Sequence, residues 1–346
     1  MLIKKNRIPI KQIILMGFFP SFFKILIYKF MGYKIGKNVS IGLGSVLIGK
    51  NVLIGDNTKI GFLTIIRAEK IRIDRFVKIG SFVFMDTESI EIGDDTRINE
   101  QVIIAGIKTP ESMFKIGKRA IIMEYSFLNP TKPLVIGDDT GIGGHCLLFT
   151  HGSWLSQLDG FPVTFAPITL GNNVWLPWRV FIMPGVNVGN NVVIGANSLV
   201  NKSLPANCLA AGSPAKIISE SYPPEISFDE RNRIFESIIN DFIDYIRHNG
   251  FESSREVTNE ITSKIIVQKD NNNHIIMFSS NGNVATSDFN DNLLVLDDSS
   301  LDTEKYLDRY GSVVNLQKKE RIGSSKIGEE FLSFLSRYGI RFNRLD

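Results

Sequence analysis

The stretch Ile48-Gly49-Lys50-Asn51-Val52-Leu53-Ile54-Gly55-Asp56-Asn57-Thr58-Lys59-Ile60-Gly61 decides the fold. An aliphatic residue followed by glycine stands at 48, 54 and 60, a step of six. The same pair begins at Ile35, Ile41, Ile79, Ile92, Ile116, Ile136, Ile142, Leu170, Val188 and Ile194, and from Leu170 to Val188 the interval is eighteen. An α-helix, with its period of 3.6, has no use for such spacing. A unit that opens on an aliphatic side chain and runs through Gly to Asp-Asn, Asn-Asn or Lys-Asn reads as a short flat strand ending in a tight turn. The aliphatic residue points inward, and Gly or Asn takes up the strained backbone of the corner. Three such sides close a coil, and stacked coils satisfy one another's backbone hydrogen bonds around a narrow aliphatic core.

On either side of residues 35–218 the composition changes. From Lys4 to Lys37 there are eight basic residues and no acidic one, interleaved with Ile13, Ile14, Leu15, Phe18, Phe19, Phe22, Phe23, Leu26 and Phe30. The uncharged run 12–23 is shorter than the ~20 residues a spanning helix needs and contains Pro20. No small-residue cleavage site follows it, so a secretory signal is a poor reading. Residues 1–34 are therefore expected to form a basic amphipathic helical segment. It either buries its Phe face as a cap on the solenoid or, through residues 1–31, lays that face on an anionic membrane surface. Beyond Pro223-Pro224 the helical spacing of Phe228, Ile234, Ile238, Ile239, Phe242 and Ile246, stopped by Gly250, is followed by strand-like runs at 264–268, 274–279, 293–296 and 312–316. Asn271-Asn272-Asn273 is expected as a turn, and helices are expected at 303–310 and 325–338. Residues 219–346 thus form a small α/β accessory domain. It has no acidic-plus-lysine spacing of the nuclease kind and is suited to partner binding or acceptor choice.

The net charge of +3 argues against a nucleic-acid partner. It conceals a difference between 24 basic and 14 acidic residues in 1–218 and 15 against 22 in 219–346. Two cysteines, Cys146 and Cys208, build neither a disulfide framework nor a cysteine zinc site and suit the cytoplasm. His145 and His151 are the histidines of the repeat region, too few for a three-histidine zinc site, so no metal is expected.

The repeat stops between Leu148 and Leu170 for Phe149-Thr150-His151-Gly152-Ser153-Trp154-Leu155-Ser156-Gln157-Leu158-Asp159-Gly160-Phe161 and the residues after it. A loop leaving a rigid scaffold with a histidine at its root and aromatics along it is a common way to build a site. A neutral imidazole can take a proton from an attacking hydroxyl near neutral pH, typically giving about 10²- to 10⁴-fold. Cys146 falls where a small residue packs inward and reads as structural.

These residues carry a resemblance to the hexapeptide-repeat acyltransferases, in the branch that modifies sugars, serine and xenobiotics. The resemblance, rather than the spacing, implies an all-β left-handed parallel β-helix (a hexapeptide-repeat solenoid) over 35–218, working as a homotrimer. It implies that His151 is the catalytic base, with His145, Trp154 and Asp159 as weaker substrate-binding candidates. The run Leu170-Gly171-Asn172-Asn173-Val174-Trp175-Leu176-Pro177-Trp178, with Ile194-Gly195-Ala196, Asn201-Lys202 and Gly212-Ser213-Pro214-Ala215-Lys216, resembles the coils along which coenzyme A lies between subunits. Trp178, Ala196, Asn201, Lys202 and Lys216 are the cofactor-binding candidates, Lys202 and Lys216 supplying charge for phosphates. Pro177-Trp178 departs from the family's Gly and small residue, which reshapes the groove wall. The function implied is acyl-CoA-dependent O-transfer, with acetyl-CoA as donor, to a sugar or nucleotide-sugar acceptor in surface polysaccharide biosynthesis. Alternatives are N-transfer to an amino sugar and a non-catalytic trimeric scaffold that recruits a partner. The location implied is cytoplasmic, with peripheral contact at the inner membrane face left open.

Overall fold

A computed structural model describes residues 9–259, 262–269, 272–280, 282 and 292–346. Lys4 and Asn271, named above, lie outside the described residues, as do Lys5 and Arg7 of the basic stretch. The chain separates into two units between Pro224 and Glu225, rather than between 218 and 219. The expected boundary falls within the last strand of the first unit, Ala215–Ser219.

The first unit is a left-handed parallel β-helix. Face 1 stacks eight strands from Lys34–Ile35 to Asn187–Val188, and face 3 stacks eight from Val46–Ile48 to Leu199–Val200. Face 2 runs from Ser40–Ile41 to Leu209–Gly212, which turns back antiparallel into Ala215–Ser219. The strands point aliphatic residues inward, as Ile54, Ile60 and Ile66 do from the three sides of one coil. The division of labour at the corners differs from expectation. Glycine is needed because coils approach closely: a Cβ on Gly61 would lie 2.6 Å from the Gly80 carbonyl carbon of the next coil. The left-handed backbone falls two residues later, on Asn57 (φ 58°) after Gly55 and on Leu63 (φ 52°) after Gly61. Asn tolerates that region, which explains its recurrence in the motif.

The exteriors of the faces differ in chemistry. On face 1 the outward register runs Leu53, Arg72, Glu91, Lys115, Val135, Thr169, and Lys115 pairs with Glu91 at 3.0 Å. On face 2 it begins Ser40, Lys59, Lys78, Arg97. On face 3 one outward column is Val46, Ile65, Phe84, Ile103, Phe127, Leu147, Phe181, Leu199, apolar at every coil, and the column beside it includes Ile48, Arg67, Asp86, Ala105, Asn129 and Phe149, with Arg67 and Asp86 ion-paired.

The N-terminal segment folds as two short helical pieces, Ile10–Gly17 and α1 (Ser21–Phe30), bent by 116° around Pro20. It covers the first coil, but with the opposite face from the one expected. An open solenoid end presents unpaired backbone groups that a Phe face cannot satisfy. Instead Ser21 Oγ accepts from the Ile41 N–H at 2.9 Å, and Lys24 Nζ donates to the Gly42 and Ser45 carbonyls at 2.6 and 3.0 Å. Tyr28 Oη accepts from the Leu47 N–H at 3.0 Å. Lys24 and Tyr28 are buried, while Phe18, Phe22, Phe23 and Phe30 are exposed.

The second unit begins with α2 (Phe228–His248), capped by Ser227 Oγ on the Glu230 N–H. Its sheet orders as Glu252–Asn259, Thr262–Lys269, Asn272–Ser279, Leu293–Leu296, Ser312–Asn315, Glu320–Gly323 and Asn343–Arg344. α3 (Lys326–Leu335) packs on α2 through Phe331 and Phe242, ring centroids 4.9 Å apart. The helix expected at 303–310 is one 3-10 turn, Glu304–Tyr306. Asn272 and Asn273, expected in a turn, pair in register with Lys269 and Gln268.

Candidate active site

The excursion leaves the corner between face 3 and face 1, immediately after the strand Leu147–Phe149. Its two ends are joined at the root by a short antiparallel pair, His151 with Phe165 and Gly152 with Thr164. The Ala166 N–H donates to the Thr150 carbonyl at 3.0 Å, and Thr150 Oγ1 donates to the Asn129 carbonyl of the preceding coil at 2.7 Å. His151 is thus held by the scaffold rather than by the loop tip. Its ring stacks on Phe165, 5.6 Å between centroids and 17° between planes.

A buried threonine governs its protons. Thr131 Oγ1 donates to Asn129 Oδ1 at 2.7 Å and accepts from the Ile107 N–H at 3.0 Å. The same oxygen lies 3.4 Å from His151 Nδ1. With its single proton committed to Asn129, the hydroxyl can meet the ring only as an acceptor. That arrangement favours the tautomer with the proton on Nδ1 and leaves the Nε2 lone pair free. Neither Asn129 nor Thr131 was singled out from sequence; both belong to Asn129-Pro130-Thr131 in the preceding coil, and no repeat signal marks them.

The opposite corner, between face 2 and face 3, carries another cluster. His145 sits there with φ 57°, its ring stacked on Tyr125 at 5.0 Å and 5.7 Å from the Trp178 ring. Trp178 lies against Gly144, where a Cβ would be 2.5 Å from the indole, and Trp175 lies likewise over Gly141. Each indole is accommodated by a glycine in the coil before it. Ala196 follows on the same corner, where the Asn197 N–H donates to the Trp178 carbonyl at 3.0 Å. Between the corners, Phe127, Phe149 and Phe181 stand edge to face on the outside of face 3, at 5.0 and 5.6 Å.

Within one chain, therefore, Trp178, Ala196 and His145 share one edge of face 3, while His151 lies on the other. Asn201 and Lys202 follow the strand Leu199–Val200 and fall on the His151 side. Lys216 is in the terminal hairpin opposite Ala211. Lys202 and Lys216 are exposed, and neither makes an ion pair among the described residues. Trp154 and Asp159 stand out on the loop, with Trp154 96% and Leu158 98% exposed. Burial pushes the Cys146 thiol up to about 11, and its Sγ donates to the Pro177 carbonyl at 3.0 Å. Such a thiol is no nucleophile at neutral pH.

No family model matches the chain. It is 34% identical over 130 residues to an Escherichia coli protein named as the colanic acid biosynthesis acetyltransferase WcaF, which covers 32% of this chain and 71% of that protein. To a second E. coli protein, named for lipopolysaccharide biosynthesis as the O-acetyl transferase WbbJ, identity is 32% over 135 residues, 38% of this chain and 60% of that one. To galactoside O-acetyltransferase of E. coli it is 56% over 54 residues, so the match spans 16% of this chain and 27% of the relative. Since more than two thirds of WcaF is matched at over 30% identity, and the fold is the β-helix that the resemblance implied, the chain belongs to the hexapeptide-repeat acetyltransferase family.

Proposed function

We propose that the protein transfers an acyl group, acetyl by the names of its relatives, from a coenzyme A thioester to a hydroxyl of a sugar or nucleotide-sugar in surface polysaccharide biosynthesis, and that it works as a homotrimer in the cytoplasm. The observation that carries this reading is the arrangement around face 3. One outward column of it, from Ile65 to Leu199, is apolar at every coil, and the neighbouring column holds the Arg67–Asp86 ion pair; an apolar centre with a polar margin is how a surface buried between copies reads. Closing three chains with face 3 toward a common axis brings the His151 corner of each to the Trp178 and Ala196 corner of the next. The exposed Trp154 and Leu158 would then find cover on the neighbour.

The chain's own residues fit such a donor. Ala196 adds no bulk beside the exposed Trp178 indole, the face 3 side chains supply an apolar wall, and Asn201, Lys202 and Lys216 offer polar and cationic contacts for a phosphate-bearing tail. Bound acyl-CoA supplies the acyl group as a thioester. Thr131 holds the Nδ1 proton, and His151 Nε2 receives the proton of the acceptor hydroxyl as its oxygen becomes the nucleophile. Phe165 keeps the ring from turning away. In such a trimer His145, Trp154 and Asp159 would meet the acceptor at the junction of two chains.

The test is thiol release by the purified protein with acetyl-CoA and a panel of sugars and nucleotide-sugars. Acceptor-dependent release by the wild type that is lost in His151→Ala supports the reading. Equal rates from the two, or no release with any acceptor, would leave a trimeric scaffold.

A further inference from the structure

The N-terminal elbow wears its faces inside out. Ser21, Lys24 and Tyr28, spaced three and four apart on α1, form a polar stripe spent on the backbone edge of the first coil. The opposite side of the elbow carries Leu15, Phe18, Phe22, Phe23, Leu26 and Phe30, all exposed, Phe30 at 95%. A contiguous bare apolar patch of this kind marks an interaction surface.

Charge selects the occupant. The first acidic residue of the chain is Asp56, and nine Lys and Arg precede it. Two copies of this face would set the exposed Lys11 and Lys29 of each against those of the other, with no carboxylate on the elbow itself to relieve them. A bilayer containing anionic phospholipid offers an apolar interior and negative headgroups together. Neither arm is built to cross one: α1 has 10 residues, about 15 Å of helix against ~30 Å of hydrocarbon. Among the described residues no single helix is long and apolar enough to span a membrane, and the two arms are bent by 116°.

We propose that the elbow docks the protein on the surface of an anionic bilayer, with the Phe face sunk below the headgroups and Lys11 and Lys29 among them. This attachment is independent of the acyl-transfer reading, since none of these side chains belongs to the candidate active site.

The test is flotation of the full-length protein with vesicles of phosphatidylcholine alone and of phosphatidylcholine with one third phosphatidylglycerol. Binding is expected to the anionic vesicles, weakened by salt. It should fall about tenfold or more in the Phe18→Ser/Phe22→Ser/Phe30→Ser variant, whose three changes are all at exposed positions. Unchanged thiol release by that variant with a soluble acceptor would show that it is folded. Absence of wild-type binding, or equal binding by the variant, overturns the proposal. So does retention of the wild type in vesicles after an alkaline carbonate wash, which indicates a span. A change in the variant's oligomeric state without vesicles also overturns it, because the face then joins copies of the chain.

Discussion

In the proposed transfer the chemistry turns on the imidazole of His151, whose neighbour at Nδ1 is a hydroxyl that carries no charge. If Thr131 fixes the proton on Nδ1, Thr131→Val should lower kcat about tenfold with the KM for the acyl donor unchanged, and Thr131→Ser should restore it. A merely structural role would move stability in Thr131→Val without that split. His151→Ala should cost about 10²- to 10⁴-fold in acceptor-dependent turnover. Cys146→Ser should leave turnover within about twofold, because a thiol raised to about 11 takes no part in neutral chemistry. The sequence pointed to His151 through the break in the repeat, which is a local and loud signal. It was silent on Thr131, because stacking brings that residue to the ring from twenty positions earlier, and nothing in Asn129-Pro130-Thr131 differs in kind from an ordinary turn.

At the scale of elements, what was legible follows from periodicity. The hexads and the 3.6-residue spacing of α2 are dense patterns, and both elements lie where the patterns put them. The strands Glu252–Asn259 and Glu320–Gly323 went unread, since ESSREVTN and ERIG are polar and gain their place from neighbours in the sheet. The cap reading of the elbow took the wrong face for a physical reason: amphipathicity says that two faces differ, not which of them a partner needs. The first coil needed donors and acceptors: Ser21 and Tyr28 supplied acceptors, and Lys24 supplied donors at the cost of its hydration. That burial lowers its pKa from the usual 10.5 to about 8. Between about 8 and 10.5 the unfolded chain holds a proton that the folded chain has released, so the stability of the folded state rises with pH across that window. Denaturant unfolding of wild type minus Lys24→Met, followed from pH 7 to 10.5, should show this rise. A flat difference curve would mean that the ammonium is not desolvated in the cap.

For the whole molecule, the decisive question is whether a single chain contains a complete site. Along face 3 the imidazole and the Trp178 and Ala196 corner stand at opposite edges, so a lone β-helix cannot bring them together without breaking its coils. A closed ring of three solves this without moving any backbone, because the two edges of neighbouring chains become adjacent. The sequence carried the apolar ladder of face 3 all along. Its meaning emerged only when register showed that Phe84, Ile103, Phe127, Leu147 and Phe181 line up on one outer surface. Two consequences separate a shared site from a self-contained one. Phe181→Asp, which places a carboxylate on that surface beside Phe149, should give monomers in sedimentation that release no thiol. Mixed trimers give the sharper result. His151→Ala and Ala196→Trp chains, each inactive alone, should recover activity when co-expressed, because some junctions pair an intact imidazole with an intact groove. With random assembly that fraction is one half times one half, about a quarter of wild-type turnover per chain pair. Placing both substitutions on one chain and co-expressing it with wild type tests the same geometry from the other side. A quarter of the junctions would again be intact, whereas a self-contained site would leave half. Failure of the first mixture to recover any turnover would return the imidazole and the groove to one chain and remove the reason for the ring.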